Sequence, residues 1–305
     1  MITEQSMHNT ESSICQLGTM LVVFALVCTL GIFTWKRALI TVFTAALTND
    51  AYTHILIVLP LSFLLLLTSR RRYPWTEKPA IGPGLVLLAL SVLLRLRVSG
   101  AGSAGSSTVD PEGSLAMLAF VLWIIGAFIL CFGKQAFRAC MFPLLFLAWL
   151  IPLPDAALIH ITHFLQQATA SCAHVMLSTL GVPVIQHGIN LTVPGLTVQV
   201  AEECSSIRSS MMLVVTATVM SYVLLSSSWA RGIIILAALP LAIFKNGLRV
   251  LTLSILGAYI SPGILDSPLH HQGGPLFFAV SLLGIFSLIW LIRKAESRAV
   301  EVTAS

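Results

Sequence analysis

The sequence predicts an all-α polytopic membrane protein of about eight transmembrane helices, with a short outer-face amphipathic helix and a β-hairpin ahead of Cys204. Of the 305 residues, 57% are hydrophobic and 10% are charged, whereas soluble domains carry roughly 25% charged residues. The mean hydropathy is +0.93. Apolar runs recur along nearly the whole chain and leave no room for a large soluble domain, so we expect one membrane-embedded domain over residues 1–305.

The distribution of charge indicates which partners to expect. The formal net charge of +5 comes from small basic clusters at the ends of the apolar runs. A basic stripe interleaved with aromatic residues, which is typical of nucleic-acid binding, does not occur in the sequence. We therefore expect a lipid bilayer as partner and no nucleic acid.

The first half of the chain is predicted to contain five spans. Residues 1–16 form an N-terminal tail that lacks the basic start of a cleavable signal peptide, so the first span is expected to be retained. The first five spans occupy residues 17–153 and are predicted at 17–33, 52–68, 81–98, 115–132 and 139–153. Residues 38–49 are too short to cross and are expected to lie along the surface. Two prolines, Pro152 and Pro154, end the fifth span.

The orientation follows from the basic clusters. The arginine triplet at 70–72 follows the second span and is the strongest cytoplasmic marker in the chain. Both termini are then cytoplasmic, while residues 49–54 and the Gly- and Ser-rich loop 99–113 lie outside. Lys134 and Arg138 fall inside, as the positive-inside rule prefers.

Residues 154–203 are predicted to stay on the outer, extracytoplasmic face. Polar side chains interrupt the apolar ones in the first part, as in an amphipathic helix at a membrane interface. These polar residues are His160, His163, Gln166, Gln167, Thr169, His174 and Ser178. Further on, apolar residues alternate with polar or small ones on both sides of Pro194-Gly195. This alternation predicts a β-hairpin with strands at 189–193 and 196–200.

Residues 204–293 contain the last three spans, and residues 294–305 form a cytoplasmic tail. These spans are predicted at 209–225, 233–250 and 276–292. After the seventh span, residues 251–260 either continue its helix or bend along the surface. The topology places four residues on the outer side of the membrane: Cys204, Arg208, Arg249 and His270.

Cys204 differs from the other cysteines in its neighbours. The six cysteines show no CxxC motif and no disulfide-like spacing, and a cysteine in an apolar protein is usually a small packing residue. Arg208 follows Cys204 by four residues, so on a helix the two side chains share one face. A nearby cation and a helix N-terminus both favour the thiolate, the nucleophilic form of cysteine. Glu202 and Glu203 oppose the thiolate unless they pair with arginines.

Arg249 is a charge within an apolar helix, where ionisable residues are costly and usually functional or paired. Asn246 precedes it by three residues, on the same helical face, and can hold the guanidinium by hydrogen bonding. The alternative is an arginine at a helix end whose side chain extends to the lipid head groups. Lys245 nearby favours that alternative.

His270 and His271 lie in a loop before Gly273-Gly274, where glycine lets a backbone approach a ligand closely. A histidine pair in an exposed loop is often simply solvated. Zinc binding is a rival interpretation, with ligands from these two residues and from His160, His163 or His174. No HExxH or CxxC motif frames them, so we expect no metal and no cofactor.

Three blocks together resemble the exosortases, multispan bacterial membrane proteins of the exosortase/archaeosortase group. The blocks are Glu202 to Ser210 with Cys204 between them, Asn246-Gly247-Leu248-Arg249, and Leu269-His270 with Gly274 and Phe277-Phe278. The resemblance extends upstream to Asp50-Ala51-Tyr52-Thr53-His54, to the arginine triplet, and to Pro143 and Pro152-Leu153-Pro154. The sequence departs from the family pattern at Ser206, where glycine is usual, and His271 makes the position of the histidine ambiguous by one residue.

The resemblance implies a cysteine transpeptidase or protease in a bacterial inner membrane. Its expected partners are exported proteins with a C-terminal sorting signal, made of a Pro-Glu-Pro type motif, an apolar span and a basic tail. By the same resemblance Cys204 is the nucleophile, Arg249 the essential arginine and His270 the histidine partner. Arg208, Asn246, Glu203 and His271 are supporting candidates. A link to exopolysaccharide production is implied by the resemblance alone.

Two other functions are compatible with the same residues. In a transporter or flippase, Arg249 and His270 would bind an anionic substrate in a midplane cavity, and polar residues should lie deep inside several spans. In a membrane acyltransferase, His270 would act as the base and Cys204 would be dispensable.

Overall fold

The computed structural model describes residues 2–72, 79–98, 109–200, 207–260 and 273–304, which are mostly helical. Contacts between residues divide the chain into two compact units, Met1–Asp155 and Ala156–Ser305. Whether the whole chain behaves as the single embedded domain expected from the sequence stays a prediction.

The first unit is built around one long buried helix. Its elements are α1 (Ile2–Thr34), α2 (Lys36–Thr48), a 3₁₀ turn (Asp50–Tyr52), α3 (Ile55–Arg72), α4 (Ile81–Arg97), α5 (Pro111–Ala139), α6 (Met141–Phe146) and a second 3₁₀ turn (Leu147–Leu150). Helix α5 packs against both α1 and α4. Polar side chains fix these contacts, because Trp123 Nε1 donates to the Val27 carbonyl at 2.9 Å and Ser91 Oγ to the Ala119 carbonyl at 2.6 Å.

Local sequence explains both ends of the apolar part of α5. Asp110 caps the helix by accepting a hydrogen bond from the Gly113 amide at 2.7 Å, and Pro111 occupies the first turn, where its missing N–H costs nothing. The helix is interrupted at Gly133, whose φ of 84° is non-helical. The fourth span, predicted at 115–132, therefore ends where the helix geometry breaks.

Segments of the first unit that resemble exosortase blocks contact one another, although they are far apart in sequence. The Tyr52 hydroxyl donates to the Leu153 carbonyl at 2.9 Å and lies 3.4 Å from Asp155 Oδ1. Ser62 Oγ donates to the Pro143 carbonyl at 2.7 Å. The start of α3 is thereby attached to the proline-containing segments that follow α5.

The second unit combines helices with a small sheet. Its elements are α7 (Asp155–Thr179), β1 (Ile185–His187), β2 (Asn190–Val193), β3 (Leu196–Gln199), α8 (Ile207–Leu224), α9 (Ser228–Tyr259) and α10 (Gly274–Ala304). Helices α8, α9 and α10 share one apolar core. Its members are fully or nearly fully buried and include Leu213, Ala217, Ile234, Ala238, Ala242, Ile285 and Ile289.

The predicted hairpin is confirmed as strands β2 and β3, which pair antiparallel with Val193 opposite Leu196. Leu191, Val193 and Val198 are buried, as the alternation requires. The turn uses Pro194-Gly195, and Gly195 has a φ of 78°, which suits the third position of a type II turn. The first strand, β1, was missed because its three residues are too few to give a pattern.

The described residues do not confirm eight spans. Six helical segments are long and apolar enough to cross a membrane: Gln16–Thr34, Asp50–Ser69, Pro111–Ala139, Ile207–Leu224, Ser228–Tyr259 and Gly274–Ser297. A seventh span results if Met141–Leu150 and Asp155–Thr179 together form one broken span. The expectation of a continuous fifth span at 139–153 is wrong, because helical structure ends at Leu150 ahead of the prolines and is too short to cross alone.

The third predicted span corresponds to α4, which has 17 residues and stands at the lower limit for crossing. The amphipathic helix predicted near the outer face corresponds to α7, which is longer than expected at 25 residues. Two of its polar residues, Gln166 and Thr169, are buried, so they face protein and not the membrane interface.

Candidate functional site

The candidate site residues divide into two groups. Arg208, Asn246 and Arg249 are described by the structure, with Arg208 exposed on the first turn of α8 and the other two buried on α9. Cys204, Glu203, His270 and His271 lie outside the described residues. The zinc alternative, which needs the two histidines, stays untested for the same reason.

Arg249 lies inside a continuous helix. Helix α9 extends from Ser228 to Tyr259, so residues 251–260 continue the seventh span almost to their end. At a rise of 1.5 Å per residue, Arg249 is about 32 Å along α9 from Ser228, close to the roughly 30 Å of a hydrocarbon core. Its side chain is 7% exposed. An arginine extending from a helix end to the head groups would be exposed, so this alternative loses its support.

Lys245 lies one turn before Arg249 and was missed as a site residue. Its side chain is 3% exposed, and its Nζ donates a hydrogen bond to Ser209 Oγ on α8. From the sequence, Lys245 was interpreted as supporting an arginine that extends to the lipid head groups. A second cation in an apolar run is, however, as costly as the first. Arg249 follows Lys245 by four residues on the same helix face, and both side chains are buried. The two cations therefore lie close together in a protein interior.

The contact between Lys245 and Ser209 also defines how α8 and α9 align. At the other end of the pair, Arg231 Nη2 donates to the Leu225 carbonyl at 2.8 Å. Between these two contacts, residue numbers rise on α8 from Ser209 to Leu225 and fall on α9 from Lys245 to Arg231, so the two helices are antiparallel. Since Ser209 is level with Lys245, the first residue of α8, Ile207, is about level with Gly247. The N-terminus of α8 therefore lies beside the two cations.

Helix α10 begins at the same level. Ser226 Oγ donates to Glu296 Oε2 at 3.2 Å, and a Cβ placed on Gly284 would lie 3.2 Å from Leu241 Cδ2. These two pairs show that α10 is antiparallel to α9. Continued along both helices, the alignment places Arg249 level with the first turn of α10, which starts at Gly274. Phe277 in that turn is buried.

Helix α7 and the sheet pack against the same part of α9. A buried apolar cluster contains Ala170, Ala173, Leu191, Val200 and, from α9, Val250. Val200, the last described residue before the Cys204 segment, is held on both sides. Its amide donates to the Ile189 carbonyl at 2.9 Å, and its carbonyl accepts from Gln166 Nε2 at 3.4 Å.

Gly247 explains the glycine between Asn246 and Arg249. A Cβ at this position would lie 2.9 Å from Cys172 Sγ, 3.2 Å from Cys172 Cβ and 3.5 Å from the Ala173 amide nitrogen. Only a residue without a side chain lets α9 approach α7 this closely. The glycine therefore serves packing, and it brings Arg249 next to the cluster that holds Val200.

At this end of the second unit, the charged side chains that the structure describes are cations, namely Arg208, Lys245 and Arg249. Among its described side chains Glu296 is the single acid, and it bonds Ser226 at the opposite end of α9. Glu202 and Glu203 precede α8, and Asp266 precedes α10, all three outside the described residues. Buried cations of this kind can neutralise a carboxylate or stabilise an oxygen that becomes negative during a reaction.

One comparison with known proteins, a scan of the chain against models of protein families, gives a match. A model of the transmembrane exosortases matches residues 41–287, most of the chain, and so confirms the resemblance found in the sequence. The matched range runs from within α2 to within α10 and includes all three blocks. No curated protein and no solved structure matches the chain at a significant level.

The close approach at Gly247 predicts a specific packing defect. Gly247→Ala should lower the unfolding temperature in detergent, because the added methyl group must displace Cys172. The second substitution Cys172→Ala should recover part of the loss by removing Sγ. Gly232→Ala is the matched control on α9, since a Cβ there meets nothing within 4 Å and should stabilise the helix by about 1 kcal/mol. Equal effects at Gly247 and Gly232 would contradict the close approach.

Proposed function

Because the chain belongs to the transmembrane exosortase family, we propose that it is a cysteine transpeptidase or protease that cleaves the C-terminal sorting signals of exported proteins. Family membership supports a membrane transpeptidase role in general. The signal expected from the resemblance has a Pro-Glu-Pro type motif, an apolar span and a basic tail. Cys204, Arg249 and His270 are the proposed catalytic residues.

One observation supports this proposal: three chain segments reach α9 at about the same height, near the buried cations Lys245 and Arg249. Residues on both sides of the Cys204 segment, Val200 and Ser209, lie against α9 near Arg249. The His270 segment leads into α10 at Gly273 and Gly274, and α10 begins at the level of Arg249. The described residues that flank the Cys204 and His270 segments, Val200, Ser209 and Gly274, are 25 to 49 residues from Arg249 in sequence and lie near its level on α9.

Chain length sets a limit that agrees with this arrangement. An extended chain covers at most about 3.6 Å per residue, so Cys204 lies no more than about 14 Å from Val200. By the same limit, His270 lies no more than about 11 Å from Gly273. The connections from the described residues to Cys204 and His270 are therefore short.

The proposed reaction proceeds through a thioester. The Cys204 thiolate attacks the scissile carbonyl, and the carbonyl oxygen becomes an oxyanion. Arg249 stabilises that oxyanion with its fixed N–H donors. As the carbon–nitrogen bond breaks, His270 donates a proton to the leaving amine, and the substrate remains bound to the sulfur as a thioester. Water or an acceptor amine then attacks the thioester and releases the thiolate.

The membrane contributes to substrate selection. A substrate with its own apolar span meets the enzyme in two dimensions, which raises the effective concentration and orients the peptide. The catalytic end of α9 lies about one hydrocarbon thickness from the Trp229 and Arg231 end. With basic residues on the cytoplasmic side, the catalytic end faces the extracytoplasmic side.

Replacing the nucleophile should stop turnover without disturbing insertion. Cys204→Ala and Cys204→Ser should reach the membrane at wild-type levels but leave a sorting-signal reporter uncleaved, because neither side chain supplies a thiolate. Immunoblotting of the reporter measures the result. Cys28→Ala, in the first unit, is the control and should process normally. Normal processing by either Cys204 variant would remove the nucleophile assignment and favour the acyltransferase alternative.

Arg249→Lys tests whether the planar guanidinium is needed. Lysine keeps the charge but loses the fork of N–H donors. Loss of one oxyanion donor costs about 10²–10³ in kcat, so cleavage should fall by a comparable factor while the variant still inserts. Arg208→Lys, on the exposed first turn of α8, provides a comparison. Wild-type turnover in Arg249→Lys would show that Arg249 is not an oxyanion donor.

A further inference from the structure

We propose that Lys245 is a positioning residue for catalysis, because its hydrogen bond to Ser209 fixes the first turn of α8, which follows Cys204 closely in sequence, against the face of α9 that carries Arg249. This inference rests on the proposed function and assigns a role to a cation outside its catalytic set. The inference is based on the buried ammonium of Lys245, which donates a hydrogen bond to the hydroxyl of Ser209 on α8, at the end of α9 that carries both cations.

The stability of α9 does not explain Lys245. A buried ammonium in a membrane-spanning helix is costly. Arg249, four residues later on the same helix face, adds repulsion between like charges. An apolar side chain of similar volume would avoid both costs, since replacing a buried charge by a well-packed hydrophobic residue is often neutral or stabilising. A lysine that weakens its own helix is more consistent with a role in activity.

The contact is selective for one of two neighbouring hydroxyls. Ser209 accepts the hydrogen bond from Lys245, whereas the buried Ser210 Oγ has no hydrogen-bond partner among the described residues. A bond from a charged donor is stronger than one between neutral groups. The structure therefore offers a serine that makes the contact and an adjacent serine that does not.

The position of the bond connects it to the nucleophile. Ser209 is the third residue of α8 and follows Cys204 by five residues. Helix ends fray readily when their contacts are lost. Losing the bond would let this turn, from which the chain leads back to Cys204, move relative to Arg249 on α9. A shift of about 1 Å in a reacting group can cost about 100-fold in rate.

The test measures kcat and KM for cleavage of a purified sorting-signal substrate in proteoliposomes, together with the unfolding temperature. Lys245→Met and Ser209→Ala should each lower kcat about tenfold or more, as expected for a lost hydrogen bond to a charged group, with KM unchanged. The unfolding temperature of Lys245→Met should be equal to or above that of the wild type. Ser209→Thr, which keeps the hydroxyl, should restore turnover.

A double-mutant cycle tests whether the two residues act through one bond. Lys245→Met combined with Ser209→Ala should be no slower than the slower single variant, because both substitutions remove the same interaction. Ser210→Ala is the matched control and should keep wild-type kcat. Additive losses, or a fall in kcat that follows a fall in unfolding temperature, would overturn the positioning role.

The outcomes separate this inference from the function on which it rests. If Cys204→Ala is inactive while Lys245→Met and Ser209→Ala keep wild-type kcat, the positioning role is wrong and the cysteine mechanism stands. If Cys204→Ala cleaves the substrate normally, the cysteine mechanism and the positioning role both fail. Ser209→Ala provides a decisive result even if Lys245→Met does not insert, because it removes the bond without changing charge.

Discussion

The burial of two positive charges one turn apart on an apolar helix is the constraint around which the second unit is organised. Lys245 and Arg249 would each be costly in a membrane environment without polar partners. Both side chains are buried, with the first turn of α8 bonded to Lys245 and the sheet packed against Val250, the residue after Arg249. The N-termini of α8 and α10 add positive ends of helix dipoles at the same level, which makes this region suitable for a thiolate, a carboxylate or an oxyanion.

Packing explains how the cations are held in place. Gly247 allows α9 to approach Cys172 on α7, and Val250 joins the apolar cluster that contains Val200. The shared core of α8, α9 and α10 fixes the alignment of these helices. The fold therefore sets the positions of the residues on both sides of the Cys204 segment, and the proposed mechanism needs only those short connections to bring the nucleophile to Arg249.

Local sequence patterns predicted two kinds of element: those formed by residues that are neighbours in sequence, and long helices made almost entirely of apolar residues. The hairpin followed from the alternation around Pro194-Gly195, and six of the predicted spans correspond to long apolar helices. The segment 139–153 was misinterpreted because an apolar run does not distinguish a span from a short buried helix. Its prolines, which end helical structure near Leu150, were the better guide to length.

The sequence predicted which residues form the site but not how they are arranged, because the arrangement depends on contacts between residues that are far apart in the sequence. Arg249 was recognised because a charge in an apolar run is anomalous. Lys245 met the same criterion but was assigned to a helix end, since the seventh span was predicted to end near residue 250 and the sequence left open whether its helix continues beyond that point. Its bond to Ser209 joins residues 36 positions apart, and no local pattern predicts such a contact.

The proposed mechanism requires that Cys204 becomes covalently attached to the substrate. Mass spectrometry of the enzyme after acid quenching during turnover detects such an adduct. A thioester mechanism predicts a peptide containing Cys204 that carries the N-terminal part of the cleaved substrate and loses it on treatment with hydroxylamine. Substrate cleavage without any adduct on Cys204, or an adduct on a different residue, would rule out this mechanism.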